Sequence, residues 1–191
     1  EELDVIGPLK SLSNKFKLFY ENERGKAGQI KWYYDQSLSI KIPSAEAAHV
    51  DDPSRNLHTI CLTKFPVSVK DAHLIAHEIM HAVIAEEGNN LKIVEQSILY
   101  SQFKAYISSM LEDPIVESVL YKKYKFNVLN DYLRWIEIMQ SACKEWKEPR
   151  DILLQMSNAC HLANQMMRWD LIEEQGALIT WSELLKDYNI T

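Results

Sequence analysis

The sequence predicts an α+β fold, with a small β-sheet near the N-terminus and a mostly helical remainder. Short runs rich in Ile, Trp, Tyr and Thr, such as Gln29–Tyr34 and Leu57–Phe65, all fall ahead of Pro66. From Ser68 onward, apolar residues recur instead at spacings of three and four, the period of a helix with one buried face. With only five Gly and six Pro in 191 residues, little of the chain is left for linkers. The length suffices for one domain with a real core. The expectation is a single domain over 1–191, with the sheet and the first long helix in 1–90 and a helical part in 91–191.

Taken in order, residues 8–27 read as a helix with Leu9, Leu12, Phe16, Leu18 and Phe19 apolar. Gln29–Tyr34 and Leu38–Ile42 read as short strands, and Pro43–Asn56 as a polar loop. Leu57–Phe65 alternates and is β-branched, so a third strand is expected there. Ser68-Val69-Lys70-Asp71 has the form of a capping box, which opens a helix. Ala72, Ile75, Ala76, Ile79, Ala82 and Val83 supply its apolar stripe, and Gly88-Asn89-Asn90 its stop. A further helix covers about 91–110. Glu112–Tyr124 reads as a separate helix, because Pro114 suits a first turn. Residues 128–147, 149–169 and 181–188 are also helical in pattern, with Trp135, Trp146, Trp169 and Trp181 as apolar anchors.

Composition narrows the class of function. The chain is 47% hydrophobic and 25% charged, as globular domains are. A formal net charge of −6 argues against a nucleic-acid surface. The basic run Tyr121-Lys122-Lys123-Tyr124-Lys125 reads as a solvated helix face. No stretch approaches the apolar length that spans a membrane. The three cysteines, Cys61, Cys143 and Cys160, are too few and too scattered for a disulfide framework, which points to a reduced, cytoplasmic setting.

The most informative residues are His77-Glu78-Ile79-Met80-His81. Residues four apart share a helix face, so both imidazoles can address one ion, and two imidazoles suit Zn²⁺. Glu78 stands where it can reach a water beside that ion. The motif lies inside an apolar helix, where unpaired imidazoles and a carboxylate are costly to bury, so they need a partner. His73, four residues before His77, lies along the same face with some angular drift. Three ligands from one straight helix cannot readily surround an ion, so His73 reads as a supporting or surface residue.

A strand, an HExxH helix and a later helix bearing acids together resemble the zincin metallopeptidases, over about residues 57–125. Ile84 and Glu87 stand where the metzincin branch has Gly and His, so that branch is excluded. Ile60-Cys61-Leu62 lacks the surroundings of a peptide deformylase cysteine. Leu111-Glu112-Asp113-Pro114-Ile115-Val116-Glu117 looks like the acid helix of the gluzincin branch. The size and the preceding strand are similar to small intracellular peptidases of the ImmA/IrrE type and to metallopeptidases described from bacteria and phages.

The resemblance implies one Zn²⁺ per chain, held by His77, His81 and one acid. In one register Glu112 is the third ligand, supported by Asp113 or Glu117. In the other, Asp113 is the ligand and Glu117, at i+4, holds a histidine in place. It further implies peptide-bond hydrolysis of a protein or peptide, with Glu78 as general base. The Leu57–Phe65 strand resembles the zincin edge strand, which binds extended substrate by strand addition. Tyr121 and Tyr124, and beyond them Tyr106 and His161, are candidates to stabilise an oxyanion. Cys61, just ahead of the metal helix, is a candidate redox-sensitive blocking ligand. The alternative is a protein-interaction or regulatory module that keeps the zincin fold without turnover.

Overall fold

A computed structural model describes residue 6 and residues 13–37, 46–52, 54–88, 98–130, 132–134 and 152–176. The architecture is α+β with a small N-terminal sheet, as the residue pattern predicts. The chain folds as two compact units: Glu1–Leu91 with Val119–Phe126, and Lys92–Ser118 with Asn127–Thr191.

The first unit opens with helix α1, Asn14–Glu23, started by Ser13, whose Oγ accepts the Phe16 N–H at 3.2 Å. Phe16 and Phe19, three residues apart on one face, are fully buried. A 3₁₀ turn at Arg24–Lys26 ends the helix. Gly28, with φ +60, then turns the chain into the sheet. The helix expected over 8–27 is therefore shorter at its C-terminal end, and residues 7–12 lie outside the described residues.

Three strands follow: β1, Gln29–Tyr34; β2, Ala47–Asp52; and β3, Leu57–Leu62. Their order is β1-β3-β2. β1 runs parallel to β3 with Gln29 opposite Leu57, and β2 runs antiparallel to β3 with Ala47 opposite Leu62. Two expectations are corrected. The polar loop drawn over Pro43–Asn56 contains β2, whose sequence Ala-Ala-His-Val-Asp-Asp has neither apolar alternation nor much strand propensity. Its register comes from β3, a tertiary cause invisible in a local window. β3 in turn is the central strand and not an edge. Both its sides carry ladder partners, so it cannot accept a further strand. The strand expected at Leu38–Ile42 lies outside the described residues.

Helix α2, which carries the HExxH residues, spans Ala72–Glu86 and is preceded by a 3₁₀ turn at Val69–Asp71. The capping box forms: the Ser68 N–H donates to Asp71 Oδ2 at 2.6 Å. Gly88, at φ +72, follows the last turn as a C-terminal stop. Ile75, Ala76, Ile79 and Ala82 are fully buried, and the helix packs on α1 and β2.

Val119–Phe126 completes this unit. Tyr124 and Phe126 meet Phe19 edge-on, at 5.2 and 6.1 Å between ring centres. Beside them Glu23, 2% exposed, accepts hydrogen bonds from Lys123 at 2.6 Å, Lys26 at 2.7 Å and the Tyr124 hydroxyl. Burial alone would raise the Glu23 pKa, but these donors outweigh it and hold the carboxyl at about 2.

The second unit contains most of helix α3, Ile98–Tyr124, and helix α4, Ile152–Glu174. Where two helices were expected over 91–124, α3 is continuous and Pro114 lies in its interior. Proline removes one backbone donor and crowds the preceding turn, so it reads from sequence as a boundary, yet the flanking turns carry the helix across it. α4 runs on past Trp169, whose Nε1 donates to Glu173. The Tyr132 hydroxyl donates to the Gln165 carbonyl at 3.0 Å, and Leu171 and Ile172 are buried. Trp135, Trp146, Trp181 and Cys143 lie outside the described residues. Among those described, no helix is long and apolar enough to cross a membrane.

Candidate metal centre

α2 sets the geometry. His77 and His81, one turn apart, bring their Nε2 atoms to 3.1 Å. Two imidazole nitrogens bound tetrahedrally to one zinc, at Zn–N distances of about 2.0–2.1 Å, would be roughly 3.3 Å apart. The pair thus has the spacing that an ion, or a single shared proton, requires. Glu78 between them is 7% exposed.

Among the described residues, α2 carries the ligand-type side chains of His73, His77 and His81, and α3 those of Asp113 and Glu117, donor types that could hold a metal ion. Glu117 is 6% exposed. Asp113 accepts from Arg168 Nη2 at 2.7 Å and from Asn164 Nδ2 at 3.3 Å through Oδ2. That ion pair is mostly buried, and Arg168 Nε has no hydrogen-bond partner within it. Glu112, half-buried, precedes Asp113 on α3.

The tyrosines separate. The Tyr124 hydroxyl is engaged by Glu23 in the α1 contact, where burial raises its pKa and the Glu23 carboxylate raises it further. Tyr121 is half-buried, with the Lys125 ammonium 6.0 Å from its ring centre. The side chains of Tyr106 and His161 lie outside the described residues. Cys61 lies on the opposite face of β3 from buried His58, Ile60 and Leu62, because strand side chains alternate.

Sequence reasoning missed a second polar set. In the β2–β3 ladder His49 lies opposite Ile60 and Asp51 opposite His58, so all four share the buried face of β3. His58 is 1% exposed. Its Nε2 lies 2.9 Å from Glu86 Oε1, and its Nδ1 lies 3.0 Å from His49 Nε2. The His49 ring lies 6.0 Å from that of His81, with planes 8° apart. Burial, and then repulsion from His81 and His58, lowers the His49 pKa to about 3, so its ring is neutral. The rings of His58, His49, His81, His77 and His73 thus form an unbroken row of contacts. One signal was available: His58 falls in phase with Ile60 and Leu62, a polar residue at a buried position. His49 offered none, because β2 itself could not be read.

Compared with known proteins, the chain matches no family model, no curated protein and no solved structure.

Proposed function

We propose that this protein is a zinc-dependent peptidase of the zincin type, with His77, His81 and Asp113 as ligands and Glu78 as general base. The observation that supports this best is the 3.1 Å approach of the His77 and His81 Nε2 atoms, on a helix that also carries buried Glu78. Of the two candidate acids, Asp113 has its carboxylate fixed, through the Arg168 and Asn164 bonds to Oδ2. Glu117, four residues on and 6% exposed, serves to hold His77. The donor set, two imidazoles and a carboxylate, is one that catalytic zinc accepts with a position left for water.

Zinc, when bound, supplies a Lewis acid that makes water acidic near neutral pH. Glu78 takes the proton that water gives up as it attacks a carbonyl, and returns it to the departing amine. Substrate binds by strand addition to β2, which packs on α2 and, among the described residues, is paired on one side only. This moves the role first assigned to β3 onto its neighbour. The setting implied is cytoplasmic, and the substrate is a protein or peptide.

Metal content tests the proposal. One zinc per chain is expected in the wild type, lost in His77→Ala, His81→Ala and Asp113→Ala, weakened in Glu117→Ala and retained in Glu112→Ala. Loss in Glu112→Ala instead would move the third ligand to that residue. A wild type that takes up no zinc after reconstitution would remove the enzyme reading altogether.

A further inference from the structure

The mechanism above leaves Glu86, His58 and His49 without a role, although His58 is buried, His49 is half-buried and the three are tied to one another. A buried imidazole is stable only when both nitrogens are satisfied, and a carboxylate can only accept. The 2.9 Å contact to Glu86 Oε1 therefore puts the His58 proton on Nε2. In the neutral ring Nδ1 is then the acceptor, and the proton in the 3.0 Å contact comes from His49 Nε2. Asp51 Oδ1, at 3.5 Å from the same Nδ1, is the more distant neighbour. One carboxylate thus dictates two tautomers in series.

The path of this chain closes on itself. It leaves α2 at Glu86, passes through His58 on β3 and His49 on β2, and comes back to α2 at the ring of His81, five residues before it began. A histidine's second torsion is broad, so a helix alone does not fix where Nε2 points. A flat ring held parallel to that of His81 restricts its rotation.

We propose that Glu86, His58 and His49 are positioning residues that fix the plane of His81 and thereby set the metal affinity of the site. This rests on the metal reading of His77 and His81. A ligand already held in its bound orientation loses less freedom on binding, and losing such support typically weakens metal affinity about 10- to 100-fold.

Two measurements test it. Imidazole ¹⁵N spectra of the metal-free protein should show His58 and His49 both protonated at Nε2. A His49 protonated at Nδ1 instead would overturn the chain, whatever the metal does. Zinc affinity, read by competition with a chromophoric chelator, should fall about 10- to 100-fold in Glu86→Ala and in His49→Ala. Glu86→Gln still offers an oxygen to His58 and should stay within a few-fold of wild type. Phe19→Leu, which destabilises the same unit away from the site, should leave zinc affinity unchanged, and so separates positioning from general loss of stability. Variants that bind zinc as tightly as wild type would overturn the proposal while leaving the metal reading intact. A wild type that binds no zinc would overturn both.

Discussion

At the scale of single residues, the geometry assigns different work to side chains that look alike in the sequence. Glu78, Glu86, Glu112 and Glu117 are all helical glutamates, yet only Glu78 directly follows one of the two histidines whose Nε2 atoms are 3.1 Å apart. Glu78→Gln keeps size and hydrogen bonding but removes the base. Peptide turnover is expected to fall by about 10²- to 10⁴-fold while zinc content stays at one per chain. Unchanged turnover in that variant, measured on a mixed peptide library, would take the general base away from Glu78. Asp113 and Arg168 make the complementary case. On the proposed reading Arg168 pairs with the third ligand and acts through it, so Arg168→Lys should weaken zinc binding more than it slows turnover at saturating zinc. Lysine cannot reproduce the planar fork.

At the scale of elements, β2 carries the most weight. Among the described residues it is paired along one edge only, and it packs on α2 and places His49 beside His81. If it accepts substrate as an added strand, backbone N–H groups of the peptide must bond to it. N-methylation of alternate residues in an extended peptide should then raise KM in one phase and not in the other. Equal effects in both phases would rule out strand addition. The elements also show what a sequence makes visible. α2 could be read almost to the residue, because its capping box, apolar stripe and terminal glycine are local signals. Its two histidines follow from helical period alone. β2 could not be read, since its six residues owe their extended form to β3, and with it went His49. Pro114 misled for the reverse reason: a strong local signal for a boundary was overridden by the helix on either side.

At the scale of the whole molecule, acid sensitivity follows from the buried carboxylate at the α1 contact. Glu23 falls from an ordinary 4.5 to about 2 in the folded chain. A depressed carboxylate contributes stability that is fully present above its unfolded pKa and is lost as pH falls through the folded value. Allowing for solvent screening of the half-exposed lysines, the contribution is on the order of 2 kcal/mol. Denaturant midpoints should therefore hold steady above pH 5 and drop between about pH 4.5 and 2. Glu23→Gln should lower the neutral-pH midpoint and flatten this slope. A variant with the full wild-type slope would assign the acid transition to other groups.

Gly28 has a consequence of a different kind. A Cβ built there would lie 2.6 Å from Glu86 Oε1, and its φ of +60 is one that other residues adopt only with strain. On the proposed reading, sequence drift at this turn would act on metal grip through a carboxylate 58 positions away, without any ligand being altered. Gly28→Ala gives a means of tuning the centre from outside it. It should cost about 1 kcal/mol in stability and weaken zinc binding as Glu86→Ala does. For anyone adapting this chain as a scaffold, the turn after α1 is the position to leave untouched when the metal must stay, and the first to vary when a looser, exchangeable site is wanted.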